Sequence, residues 1–383
     1  MSIPKLRFNE FNGSWTTKKI DEIAIVTSGG TPSRNVAKYW NGHIPWVTTS
    51  LVNFNIISNA EEFITQEGVD NSSAKLFPKN TILMAMYGQG ITRGKVAILN
   101  IEATTNQACA AIKLKDGLNT HFVFQNLMNR YEEIRDLSNE GGQKNLSAGI
   151  IKDILISFPS KLEQTKIASF LSSVDEKISQ LTQKHELLSQ YKQGMMQKLF
   201  SQQIRFKAND GSEFGEWAET ELGKNCQIKT GKLDANAMKD DGEFRFYTCA
   251  KEFYFIDKYA FDTEALLISG NGANVGYIHY YKGKFNAYQR TYVLDQWQQN
   301  IIYIQYFLEQ FLKERIYGEK KEGNTPYIVL STLSEMPLVL PCFEEQTKIA
   351  NFLSSIDQKI EVVAKQIEQA KQWKKGLLQQ MFV

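Results

Sequence analysis

The stretch EQTKIASFLSSVDEKI, starting at Glu163, returns almost unchanged as EQTKIANFLSSIDQKI, starting at Glu345. A chain that writes one surface twice, 182 positions apart, must fold as two related halves. Such self-similarity outranks every local signal, and this period is far too long for a solenoid. The copies extend outward from the core stretch. MMQKLF (195–200) returns as LLQQMF (377–382), Gly194 as Gly376, and ILISFPS (154–160) as MPLVLPC (336–342), which sets Pro159 against Pro341. The intervening blocks correspond loosely. KLRFNEFNGSW (5–15) answers QIRFKANDGSEFGEW (203–217), and Gly29 follows Trp15 at the distance at which Gly231 follows Trp217. Gly88, Gly90, Gly94 and Gln107 match Gly270, Gly272, Gly276 and Gln289 in spacing. The first block is longer by about 20 residues between its Trp and the glycine cluster.

Each copy predicts a long helix with an apolar seam. Ile349, Leu353, Ile356, Ile360, Val363, Ile367, Ala370, Leu377 and Met381 alternate by three and four, broken only at Lys374. In the first copy Ile167, Leu171, Val174, Ile178, Leu181, Leu188, Met195 and Leu199 do the same, with His185 and Lys192 as breaks. That period means coiled-coil packing, and no proline interrupts either helix. About 36 residues per helix gives roughly 54 Å. One greasy stripe cannot stand alone, so the two copies are expected to pair. The duplicated order favours an antiparallel pair with pseudo-two-fold symmetry. Phe170 and Phe352 lie beside the seam. They either face a partner or pad the helix against its own block.

The blocks read as mixed α/β, making the whole chain α+β. IPWVTTS (44–50), TILMAMY (81–87) and KVAILN (95–100) predict strands, followed by an amphipathic helix over 121–137. FRFYTCA (244–250), ALLISG (265–270), VGYIHYY (275–281) and a helix over 301–317 repeat the plan.

Chemistry is sparse by comparison. The net charge of +2 announces no nucleic-acid partner, so any basic surface must be local. Cys109, Cys226, Cys249 and Cys342 form no C-x-x-C, and no His sits at metal-ligand spacing, which argues against disulfides and zinc. No signal peptide and no membrane-length apolar run is visible, so a cytoplasmic protein without a membrane partner is expected. GQGITRG (88–94) runs into a strand rather than opening a helix, and Lys95 is followed by Val96, so neither phosphate-binding fingerprint is met. A tight glycine hairpin is the plainer reading. NTPY (324–327) approaches the Asn/Asp-Pro-Pro-Tyr motif of DNA amino-methyltransferases, but Thr325 replaces the first proline, and the first block has KNLS (144–147) instead. His43, His121, His185 and His279 repeat in neither half. A duplicated enzyme would repeat its catalytic residues, so no catalytic residue is assigned and a binding scaffold is favoured.

The twin helices, each led in by P-x-x-x-E-Q and running from Pro159 to Ile178 and from Pro341 to Ile360, resemble the repeated helix of type I restriction-modification specificity subunits. The block openings and glycine loops match too, so the resemblance covers essentially the whole chain. It implies target recognition domains at 1–160 and 203–342, and spacer and docking helices at 161–202 and 343–383. It further implies double-stranded DNA as ligand, read as a bipartite asymmetric site, and two methyltransferase subunits as partners, with a nuclease–translocase subunit able to join. S-adenosylmethionine, ATP and magnesium would belong to those partners, with no cofactor and no metal in this chain. Lengthening both helices by a turn should then move the half-sites apart.

Base edges are read by Arg, Lys, Asn, Gln, Ser and Thr. Candidates in the first block are Thr48, Thr49, Ser50, Gln89, Arg93, Lys144 and Asn145. In the second they are Thr248, Lys251, Asn271, Asn274, Arg290 and Asn324. Each could equally be an ordinary solvated loop side chain. Gln107 and Gln289 recur in both halves, which suits a structural role better than reading unlike targets. Phe170 and Phe352 are the partner-docking candidates. Two other function classes stay open: a standalone DNA methyltransferase or other nucleic-acid enzyme, and a coiled-coil structural tether.

Overall fold

The Glu and Gln of the repeated E-Q-T triplets are buried at the start of each long helix, where the triplets fasten it to its own block. The computed structural model describes residues 4–88, 91–137, 145–318 and 327–382. The first long helix runs Lys161–Phe200 and the second Phe343–Met381, both slightly longer than the sequence suggests. Glu163 is 2% exposed and takes a bidentate pair from Arg7 at 2.7 Å; Glu345 is fully buried and takes one from Arg205 at 2.8 and 3.1 Å. Gln164 accepts the Asn119 N–H and donates to the Pro159 carbonyl; Gln346 accepts the Asn300 N–H and donates to the Pro341 carbonyl. Asn119 and Asn300 open the helix that packs beneath each sheet, Thr120–Asn129 and Ile301–Gly318, and each donates its side-chain amide to the Thr of the triplet. Buried polar groups are costly unless bonded. These are bonded on every side, so the triplet must be copied whole.

The chain divides into two units, residues 1–182 with 365–383, and residues 183–364. Each long helix therefore gives its first half to the unit that precedes it in sequence and its second half to the other. Both units have α+β architecture.

In the first unit a five-stranded sheet has the order Ala24–Ser28, Cys109–Leu114, Ile82–Ala85, Val96–Leu99, Asn55–Ile57. A separate three-stranded sheet, Glu62–Ile64, Trp40–Val47, Thr104–Thr105, accounts for the greater length of this block. The central strands ILMA and VAIL are buried on both faces, which is why they read as continuous apolar runs. Ile82, Met84, Val96 and Ile98 meet Phe122 and the long helices through Ile167, Leu171, Leu377 and Met381; Leu83, Ala85, Ala97 and Leu99 face a second core.

The second unit has one six-stranded sheet, ordered Gln227–Thr230, Thr291–Asp295, Phe261–Ser269, Ile278–Ala287, Phe244–Tyr247, Tyr254–Ile256. Leu266, Ile268 and Leu294 face Tyr303, Phe307, Leu199 and Leu353, while Ala265, Leu267 and Val293 face Tyr247 and Phe285. In both units a two-stranded antiparallel ribbon leads into the helix: Thr16–Lys19 with Leu155–Phe158, and Ala218–Glu221 with Pro337–Leu340.

Two of the three breaks in the seam, Lys374 and Lys192, are ion pairs. Within the first unit Lys374 meets Asp175 at 2.5 Å, and Gln125 donates to the same carboxylate at 2.8 Å. Within the second, Lys192 meets Asp357 at 2.8 Å, and the Tyr306 hydroxyl donates to it at 2.5 Å. The partners of the later residue on one helix come earlier on the other, so the pairing is antiparallel.

Three local expectations shift. The helix expected over 121–137 breaks at Arg130 into Thr120–Asn129 and Tyr131–Asp136, because Arg130 leaves helical geometry (φ −95°, ψ 20°) while its guanidinium grips the Leu155 carbonyl and Glu133. The strand expected over 44–50 stops at Val47, where a 3-10 turn, Thr49–Leu51, begins. The strand expected over 275–281 starts at Ile278 and runs to Ala287, since Val275 and Gly276 are still spent on the loop. Among the described residues no helix is long and apolar enough to cross a membrane.

Candidate functional site

In the second unit the predicted readers are gathered at one end of the sheet. Strand Phe261–Ser269 ends at Gly270, whose N–H donates to the Arg290 carbonyl at 2.8 Å and whose carbonyl accepts from Ile328 at 2.8 Å. Asn271 is bridged to Tyr327, which is 62% exposed and is the part of NTPY that lies among the described residues. The loop closes at Gly276 (φ +81°), whose N–H returns to the Ser269 carbonyl. A Cβ there would lie 2.7 Å from Ile316 Cδ1, in a conformation that L-residues rarely adopt.

The turn after strand Phe244–Tyr247 sits beside this loop. Thr248 is buried, and its hydroxyl accepts the Ala250 N–H at 3.2 Å. Asn274 donates its amide to the Cys249 carbonyl at 3.0 Å, His279 Nε2 lies 3.0 Å from the Ala250 carbonyl, and the Cys249 thiol points to the Arg290 carbonyl at 3.4 Å. Thr248, Lys251, Asn271, Asn274 and Arg290 thus form one cluster. Arg290 and Lys251 are exposed, and Lys251 and Asn274 line an open groove of about 590 Å³ with Tyr277, Lys313 and Tyr317.

The first unit builds the corresponding end with different parts. Met86 takes the place of Gly270: its N–H donates to the Ala108 carbonyl at 2.8 Å and its carbonyl accepts from Leu146 at 3.0 Å. Gly94 (φ +85°) donates to the Ala85 carbonyl as Gly276 does to that of Ser269. The loop from Met86 to Gly94 is therefore two residues longer than that from Gly270 to Gly276, and the equal spacing of Gly88 and Gly270 is not a structural match. Asn145 stands next to Leu146 and so beside this strand end. Thr48 follows Val47, whose carbonyl accepts from Asn106 at 3.1 Å, and its hydroxyl meets that of Ser50 at 2.5 Å, with Thr49 half-buried between them. Arg93 turns toward the short helix Tyr131–Asp136, donating to the Arg135 carbonyl at 3.1 Å. Gln89, Lys144 and Asn324 lie outside the described residues.

The recurring glutamines hold these ends together. A Cβ on Gly29 would lie 1.9 Å from the Thr105 carbonyl oxygen, and one on Gly231 1.9 Å from that of Ala287, so each glycine lets the chain cross the segment carrying the Gln. Gln107 accepts from Thr31 at 2.5 Å, and Gln289 donates to Asp234 at 2.7 Å. Phe170 and Phe352 are half-buried within their own units, Phe170 between Phe8 and Trp373, and Phe352 against Phe206. The padding role is thus occupied in both copies.

Sequence reasoning passed over His279 and Cys249. Neither sits in a motif, and their part in the cluster exists only through partners on other strands. Among the described residues no His/Cys/Asp/Glu group could hold a metal ion, and burial pushes the Cys109 and Cys226 thiols up to about 12, well away from reactive thiolates.

Comparison with known proteins adds independent findings. The family model described as type I restriction modification DNA specificity domain matches twice, at residues 12–190 and 215–372. The MjaIX type I restriction enzyme specificity subunit of Methanocaldococcus jannaschii is 26% identical over 95% of this chain and 91% of its own length. The EcoDI specificity subunit of Escherichia coli is 39% identical over 41% of this chain and 35% of its own. Among solved structures, the S subunit of a type I restriction-modification system from M. genitalium superposes with a TM-score of 0.66 at 21% identity, covering 100% of this chain and 99% of that one.

Proposed function

Because the chain belongs to the type I restriction-modification DNA specificity family and is a non-catalytic specificity subunit, we propose that its two variable blocks read the two unlike halves of one split duplex DNA target. The observation that carries this reading is the contrast between a shared joint and unshared loop ends. Both units repeat the Arg–Glu pair, the Gln and Thr bonds and the Asp–Lys pair. Their strand ends instead present Thr48, Thr49, Ser50, Arg93 and Asn145 in one case, and Lys251, Asn271, Asn274 and Arg290 in the other, where the buried Thr248 supports the turn. Unlike donors and acceptors select unlike bases, so the target is asymmetric.

On this reading the blocks are residues 1–160 and 203–342, and Gln89, Lys144 and Asn324 join the DNA-facing loops. Arg290 and Lys251 supply charge to phosphate or guanine edges. The helices 161–202 and 343–383 set the distance between half-sites; at 40 and 39 residues they are about 60 Å long. Their outer faces dock two methyltransferase subunits, with the exposed edges of Phe170 and Phe352 at the margin of that surface. S-adenosylmethionine is carried by those subunits, and ATP and magnesium by any nuclease–translocase that joins.

The test is to co-express the chain with the methyltransferase subunit encoded beside it and to map methylated adenines across the host DNA. One asymmetric split motif, with its second half altered when residues 203–342 are replaced by another block, is the expected result. A stable complex that methylates without sequence preference would overturn it.

A further inference from the structure

The turn carrying Thr248 and Lys251 is held from outside by two side chains of the neighbouring hairpin. Asn274 donates to the Cys249 carbonyl at 3.0 Å, and His279 Nε2 lies 3.0 Å from the Ala250 carbonyl. A carbonyl only accepts, so Nε2 carries the proton. The imidazole is itself fixed, with ring centroids 5.0 Å from Tyr247 and 4.8 Å from Tyr277. Thr248 takes the Ala250 N–H, so both backbone groups of Ala250 are committed. Cys249 contacts the Arg290 carbonyl, which also receives the Gly270 N–H. The backbones of residues 248–250, next to Lys251, and of Arg290 are thereby locked to one strand end.

We propose that His279 and Asn274 are positioning residues for recognition of the second half-site, holding the 248–251 turn so that Lys251 and Arg290 meet duplex DNA in one fixed register. This rests on the reading of the second unit as a recognition block, and it takes Asn274 out of the set of direct readers. A loop ordered before binding loses less entropy on binding and tolerates less variation in what it contacts. His279 therefore acts on affinity and discrimination together, and methylation of wrong-base sites reads the second. The first unit secures its own turn internally, through Thr48 and Ser50.

The experiment maps adenine methylation in host DNA with the methyltransferase subunit and the full chain, as wild type, His279→Ala, His279→Gln, Asn274→Ala and Arg290→Ala. For His279→Ala, methylation of sites carrying one wrong base in the second half-site is expected to rise about tenfold, within the usual cost of one mismatch, with the first half-site unchanged. His279→Gln, which retains an amide donor, should recover most of that discrimination; a merely structural side chain would not be rescued this way. Should His279→Ala fail to accumulate, Asn274→Ala carries the same expectation. An unchanged second half-site in His279→Ala or Asn274→Ala, while Arg290→Ala relaxes it, overturns the positioning role and leaves the function standing. A second half-site indifferent to Arg290→Ala and to replacement of 203–342 overturns both.

Discussion

Glu345 shows how much one repeated residue can carry. Its carboxylate, fully buried, holds Arg205 in a bidentate pair and takes the Trp217 indole N–H at 3.1 Å. Removing one partner of a buried pair strands the other, at about 3 kcal/mol. Glu345→Gln should lower stability by that order in urea unfolding, and Trp217 fluorescence should report the loss. Glu163→Gln should do the same in the first unit, with less effect on indole emission, since the corresponding Trp15 makes no bond to Glu163 there. His279 offers a pH handle. Burial holds its pKa below the ordinary 6.5, against the opposing Ala250 bond and Glu252 charge. The unfolded chain therefore takes the proton first as pH falls. The stability contributed by neutral His279 is complete above about pH 6.5 and is lost as pH drops through the lower folded value. Thermal unfolding from pH 7 to 5 should show this loss in the wild type and a shallower slope in His279→Gln. None of these partnerships was legible in the sequence. Glu163 and Glu345 announced themselves by repetition, whereas what they hold depends on residues 128 to 156 positions away.

At the scale of elements, periodicity served well wherever burial is one-sided or complete. The two helices, the strands 82–85, 96–99 and 265–269, and the strand–loop–strand setting of the glycines were all visible as patterns. Where a single side chain decides, they were not. Arg130 breaks a helix that its apolar spacing would continue, while the equivalent helix in the second unit runs unbroken from Ile301 to Gly318. Lys192 and Lys374 were legible only as faults in a seam; their carboxylate partners supply the reason. Lys374 is 14% exposed, and Asp175 is partly open to solvent, so the pair is worth about 1 kcal/mol after screening. A double-mutant cycle on Lys374→Met and Asp175→Asn should return a coupling energy of that size. Little coupling would mean that Gln125 alone satisfies Asp175. Gly276→Ala should cost about 1–2 kcal/mol, because the left-handed conformation and Ile316 both resist a side chain. Its methylation motif should degrade in the second half.

For the whole molecule, duplication gave the strongest expectation, and the family follows from it. The candidate reading residues were located by strand ends and residue type, which found the cluster in the second unit but could not separate readers from supports. A chain stopped after residue 364 keeps every residue of the second unit and loses Leu377, Leu378, Met381 and Phe382 from the first core. Limited proteolysis of that product should cut within residues 4–182 and spare 183–364. Equal resistance in both would contradict the core described above.

The division of residues 1–182 and 365–383 into one unit has a consequence for synthesis. On the ribosome, the first block emerges early but waits for the last helix to close its core. The second block, made later, already has all its parts by residue 364. Folding is thus completed in the reverse of the order of translation, and a message cut short by a late frameshift yields a finished second block tethered to an open first one. Such a product exposes its incomplete first core to proteases while its second block stays intact.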